Sequence, residues 1–313
     1  MADFLTHIIL ADEVVKRIES RRIYEGVNKK RSLYHLGAQG PDPLFFYDCF
    51  PGRGKGALKE LGDVMHEERT GAFLLKGFGK LQDVSYDKRW MNIAIYMCGF
   101  ICHFTLDRLL HPYVFWAADQ WIWGVDGTPV TVTHMQVETA LDVIYWREKK
   151  GRHAYKEKTS RLVYIGKHWP EAVSDFLIEA FRDIYGMEVS EKELNKILRD
   201  FYRGHDLLYD PKGWKKALVH WLENFTGGGI KPPKYPYPVE PDDTVDWTNK
   251  KKRTWVNPFV KGDTRESSVA EILEEAADTA ANHINTIFRR IFSNEGIDDL
   301  FPNLSYTTGI QCE

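Results

Sequence analysis

Cys98-Gly-Phe-Ile-Cys-His-Phe-Thr-Leu-Asp-Arg-Leu-Leu-His-Pro-Tyr113 is apolar except at a few positions, and His103, Asp107 and His111 fall four residues apart within it. An α-helix turns about 100° per residue, so side chains at i and i+4 share a face, about 6 Å apart along the axis. A helix here presents imidazole nitrogen and carboxylate oxygen to one region of space. His103 and His111 are two turns apart, about 12 Å. One ion with bonds near 2 Å cannot reach both. The spacing therefore predicts two metal centres strung along one helix. Pro112 cannot donate a backbone hydrogen bond, so it is expected to end or kink the helix and free His111 toward the second centre.

The spacing recurs in Thr133-His-Met-Gln-Val-Glu138, where His134 and Glu138 would complete that second centre. Nitrogen and carboxylate donors together suit zinc. Three upstream residues could join them: His7, Asp42 and His66. Asp42 lies between Pro41 and Pro43, which makes its loop stiff. A multinuclear metal site used for hydrolysis is the expectation.

Outward from this stretch, helical periodicity dominates. Helices are expected at roughly 3–20, 57–69, 88–111, 133–149, 168–186, 190–204, 211–225 and 266–293. Ser190 with Glu193, and Ser267 or Ser268 with Glu271, have the form of capping boxes. Val130-Thr-Val-Thr133 is the one obvious extended piece. The fold class is all-α, as a single multi-helical domain over 1–313 with a proline- and tyrosine-rich excursion near 227–262.

Composition narrows the function classes. At 313 residues, 43% hydrophobic and 28% charged, the chain is globular rather than disordered. A net charge of −3 gives no global pull toward nucleic acid or anionic membrane, and no stable nucleic-acid partner is expected. No uninterrupted apolar run reaches membrane-spanning length. The N-terminal residues lack the pattern of an export signal, and Cys49, Cys98, Cys102 and Cys312 do not form a secreted disulfide framework. The expectation is a cytoplasmic protein.

Other features read as structural. His35, His153, His168, His205, His220 and His283 lack partners at ligand spacing, and adjacent His205-Asp206 would need hand-picked companions. Tyr113, Phe115, Trp116, Trp121 and Trp123 form an aromatic run that reads first as core, with some of it able to wall a pocket beside His111. There is no glycine-rich phosphate loop and no Gly-x-Ser-x-Gly elbow.

Taken in order, Thr6-His7, Gly40-Pro41-Asp42-Pro43, Met65-His66-Glu67, His103-x-x-x-Asp107, His111 and His134-x-x-x-Glu138 resemble the zinc-dependent phospholipase C family, which shares its all-helical fold with the S1/P1-type nucleases. The series covers about the first 140 residues closely. The resemblance implies two or three zinc ions in a cleft between helices. Asp42, His66, His103 and Asp107 would surround one, His111, His134 and Glu138 another, and His7 with a bridging Asp107 the third. Secreted members complete the third site with a processed N-terminal Trp, where this chain has Met1-Ala2. The implied activity is a zinc-dependent phosphoric ester hydrolase acting on a small phosphoester or phospholipid headgroup. Zinc would lower the pKa of water toward about 7, with Asp42 as ligand, water-orienting group or base. A nuclease or nucleotidase on the same scaffold is the alternative, with Trp116, Trp121 or Trp123 stacking a base. A non-catalytic metal-binding protein is the second alternative.

Overall fold

Helices make up most of the computed structural model, which describes residues 4–48, 57–83, 87–120, 122–215, 237–238 and 240–313. In chain order they are α1 Phe4–Val15, α2 Arg21–Lys29, α3 Arg31–Gly37, α4 Ala57–Glu67, α5 Thr70–Asp83, α6 Lys88–Asp119, α7 His134–Lys150, α8 Glu171–Tyr185, α9 Glu191–Leu208 and α10 Val269–Phe292. A 3₁₀ turn covers Asp42–Phe46. Two small antiparallel ribbons complete the picture: β1 Ile122–Trp123 with β2 Pro129–Val130, and β3 Trp255–Val256 with β4 Thr264–Arg265. No closed sheet forms among the described residues, and the all-α expectation holds.

The capping signals are real. Ser190 and Ser268 each accept from the third backbone N–H of the helix that follows, with Glu193 and Glu271 reaching back; Thr133 and Gln136 do the same for α7. Helix boundaries differ where capping or burial overrides simple periodicity. The first expected helix stops at Val15, because Ser20 caps a new helix through Ile23 N–H. The expected helix at 57–69 is followed directly by α5, which the sequence reading left out. Most of the helix expected at 211–225, and residues 227–236 of the excursion, lie outside the described residues.

The largest correction concerns Pro112. The central helix does not end there; α6 runs 32 residues through it to Asp119. A mid-helix proline costs one hydrogen bond and some bending. Burial beyond it offsets this cost. Tyr113, Val114, Trp116 and Ala117 are all buried. The Tyr113 ring meets Trp255 edge-on at 5.5 Å, and its hydroxyl donates to Trp247 O at 3.1 Å. Of the aromatic run, Tyr113 and Trp116 are core and Trp123 packs partly buried against it, whereas Phe115 is only half-buried. α6 is the one described helix long and apolar enough to cross a membrane, yet 89% of its most apolar window is buried inside the protein.

α6 is the hub, packed against α1, α2, α3, α5, α7, α8 and α10. Its crossing with α3 is backbone against backbone. A Cβ on Gly99 would sit 2.1 Å from Tyr34 O, and one on Gly37 would sit 2.1 Å from Tyr96 O. This close approach brings the loop after α3, with Gly40 and Asp42, onto the His103 turn of α6. Gly99→Ala is expected to cost about 3 kcal/mol, the upper range for an overpacked site, measured as a shift of the urea midpoint at unchanged slope.

Candidate metal centre

Four elements converge on the middle of α6. His103 and Asp107 are 0% and 2% exposed, and His111 lies one turn further along. Asp107 is the focus of the cluster. Its Oδ1 is 3.1 Å from His7 Nε2 on α1, and its Oδ2 is 3.2 Å from His103 Nε2. The same Oδ2 lies 3.8 Å from His66 Nε2 on α4 and 3.9 Å from His111 Nδ1. Asp42, in the 3₁₀ turn, points Oδ1 at His66 Nε2 over 3.4 Å. At the far end, His134 Nε2 and His111 Nε2 lie 3.0 Å and 3.7 Å from Glu138 Oε1.

Donor atoms gather in three groups, each within 4.8 Å: His7, His103 and Asp107; Asp42, His66 and His103; His111, His134 and Glu138. The structure thus brings together all eight residues that the sequence singled out. The groups overlap at His103, and the third stands apart toward the His111 end, as helical spacing requires.

Zinc fits this arrangement on the structure's own terms. Neither ring nitrogen of fully buried His103 makes a well-formed hydrogen bond among the described residues, Asp107 Oδ2 standing 3.2 Å from Nε2, a costly state for a polar group that a ligand would relieve. Burial pushes its pKa down to about 4, so the ring is neutral at pH 7 and offers a lone pair. His66 pairs its Nδ1 with Gly62 O at 2.7 Å, and His111 pairs its Nδ1 with Tyr306 O at 3.0 Å. With Nδ1–H donating in both, Nε2 faces the cluster, where in His66 a metal would replace the proton otherwise shared with Asp42. A ring nitrogen held by a backbone carbonyl is how metal-ligating histidines are oriented. Burial would raise the Asp42 carboxyl, but its bond to His66 and the fields of His103 and His66 hold it down at about 2. It is ionised throughout the neutral range.

Two supports were not legible as site residues. Asp142 continues the α7 stripe one turn beyond Glu138 and is fully buried. Its carboxylate accepts from Leu5 N at 3.1 Å, Thr6 N at 2.7 Å, Thr6 Oγ1 at 2.7 Å and the Tyr237 hydroxyl at 2.6 Å. It caps the first turn of α1 from another helix, immediately before His7, and α1 has no acidic residue there of its own. The i+4 spacing from Glu138 was the available signal. Asp142→Ala is expected to cost about 3 kcal/mol through the stranded buried donors and to lower metal content at the His7 group, measured by denaturation and by metal analysis of the same preparation.

The second support is the C-terminal segment. Tyr306 N–H donates to His66 O at 2.8 Å, and its ring sits edge-on to His66, His103 and Phe104. Ser305 Oγ donates to Glu67 at 2.7 Å. These are mainly backbone contacts, for which residue type gives no signal. By contrast, His205 and Asp206 bond to Thr159 and Ser160, as structural groups do.

A family model, zinc dependent phospholipase C, matches residues 6–204. The chain belongs to the zinc-dependent phospholipase C family. The match spans all eight clustered residues, while α10 and the C-terminal segment lie outside it. No curated protein and no solved structure matches the chain. The activity is that of a zinc-dependent phosphoric ester hydrolase of phospholipase C type, with three His/Asp/Glu groups able to hold the metal.

Proposed function

We propose that this phospholipase C-type hydrolase cleaves a phosphodiester whose esterified group carries positive charge, in the manner of a phospholipid headgroup, rather than a nucleic acid. The observation that carries this reading is the lining of the cavity over the metal groups. It holds about 220 Å³ between Asp42, Phe45, Asp63, His66, Glu67, Asp107, His111, Phe115, His134 and Thr307. Among the described residues no lysine or arginine lines it, while exposed Asp63 and Glu67 stand at its edge. Carboxylates beside aromatic faces favour a cation and disfavour a polyanion. Trp116 is packed with Tyr113 and Trp255, and neither it nor Trp123 lines the cavity. Trp121 lies outside the described residues.

We assign His7, Asp42, His66, His103, Asp107, His111, His134 and Glu138 as the groups that would hold zinc. When bound, zinc supplies acidification of water to a pKa near ~7 and neutralises developing charge on phosphoryl oxygens. The chain's own part is to fix the donors through Gly62, Tyr306 and Asp142, and to exclude bulk water with Phe45 and Phe115. Asp42 is ionised, its carboxyl held down by the bond to His66 and the fields of His103 and His66. It serves as a donor to metal and as the acceptor that orients the attacking water. The open cavity favours catalysis over a purely metal-binding role.

Competition separates the readings. Phosphocholine is expected to inhibit hydrolysis of bis-p-nitrophenyl phosphate at least about tenfold more strongly than AMP, roughly one net ionic contact. The reverse order would support the nuclease. Full metal content without turnover of any phosphodiester would support the metal-binding protein.

A further inference from the structure

We infer that the β3–β4 hairpin is a membrane-docking tip that seats the metal cavity on a phospholipid surface; this rests on the phosphodiester reading above. Between the paired ends Trp255↔Arg265 and Val256↔Thr264, the chain runs Asn257-Pro-Phe-Val-Lys-Gly-Asp263. Val256 and Val260 are 46% and 38% exposed, and Pro258 is exposed between them. Soluble surfaces carry scattered apolar residues without purpose, but three within five residues at a tip form a patch that calls for a partner.

The tip is rigid. Asn257 donates from its backbone to Asp263 O and from its side chain to Asp263 Oδ2, both at 2.9 Å, and its Oδ1 accepts from Phe259 N at 3.0 Å. Asp263 N–H closes the turn on Val260 O, and Arg265 neutralises the Asp263 carboxylate. The apolar side chains are therefore held outward at no further ordering cost, as preorganised binding surfaces require.

Position and charge indicate a lipid surface as the occupant. Phe259, half-buried, meets Phe115 edge-on at 5.3 Å, and Phe115 meets His134 at 4.6 Å. The tip is thus continuous with the cavity wall. Met135, beside His134, is 42% exposed and adds to the apolar rim. A phospholipid entering headgroup first leaves its acyl chains at this rim. Lys261 at the tip, and Lys250 and Lys251 on the approach to the hairpin, are exposed and form no ion pair among the described residues. An apolar tip with neighbouring lysines matches acyl chains below phosphate groups. The hairpin lies outside the family-matched segment.

The test uses the zinc-loaded full chain and a double variant, Val256→Ser with Val260→Ser, both at exposed positions outside the cavity. Sedimentation with vesicles of phosphatidylcholine and phosphatidylglycerol in equal parts reads docking. Hydrolysis of a short-chain phosphatidylcholine below its micelle concentration reads the active site alone. The variant is expected to lose about tenfold in vesicle partitioning and in kcat/KM on vesicles, from two apolar side chains no longer buried, while monomeric turnover stays within about twofold. Wild-type protein that does not sediment, or a variant that sediments equally well, overturns the docking surface. A concentration-dependent dimer on gel filtration that the same substitutions dissociate also overturns it, since the occupant is then a second copy. Failure to turn over the monomeric substrate with full metal content counts against the phosphodiester reading, and sedimentation still decides the docking surface.

Discussion

Asp107→Asn is expected to lower phosphodiester hydrolysis by at least about 10³-fold, the scale of losing a central electrostatic element of a site. Metal content should fall with it. The substitution preserves shape and volume, so the helix and its packing survive and circular dichroism should not change. What changes is charge at the point where His7, His66, His103 and His111 converge within 3.9 Å. An amide offers one weak oxygen donor where the carboxylate offers two, and it cannot bridge two cations. The group of His111, His134 and Glu138 does not contain Asp107, so about one metal equivalent per chain should remain. Metal analysis on protein purified without added metal decides this. A variant with the wild-type complement and rate would mean that Asp107 is only a buried counter-ion for the histidines.

Gly40→Ala, which alters no donor, should be nearly as damaging. Gly40 has φ +51°, in the left-handed region, and a Cβ there would lie 2.2 Å from His103 Cδ2. The backbone term is about 1–2 kcal/mol, and the overlap with a fully buried ring adds about 1–3 kcal/mol. The ring cannot turn aside, because α6 and Tyr306 enclose it. The loop has to back away instead, taking Asp42 with it. Expected results are a loss of about 3–4 kcal/mol in chemical denaturation and activity down by at least ~10²-fold, since a displacement of 1 Å at a site costs that much. Gly40→Ala with native stability and rate would show that the loop has slack which the contact distances deny.

How far the sequence was legible follows from the kind of interaction involved. His103, Asp107, His111, His134 and Glu138 were readable because helix geometry converts spacing directly into position. His7, Asp42 and His66 carry no such geometry in sequence. Only their order along the chain, compared with a known family, marked them. Pro112 misled because its local cost is fixed while the burial of Tyr113 and Trp116 beyond it depends on residues near 247 and 255. Asp142 was passed over since a carboxylate one turn after Glu138 looks like an ordinary helix-surface charge until Leu5 and Thr6 are known to sit above it. Tyr306 could not be foreseen at all, as it acts mainly through its amide and carbonyl, which every residue has.

Tyr306 also bears on how the protein is made. All eight donor side chains lie within the first 138 residues, so a nascent chain leaves the ribosome with the donors complete long before residue 306 is synthesised. Until then His66 lacks the amide that binds its carbonyl, and His111 lacks the oxygen that sets its tautomer. An ion captured by the growing chain would meet a His111 ring still free to turn, and could exchange. Packing of the Tyr306 segment closes the cage, so secure metallation waits on residues far along the chain from the donors themselves.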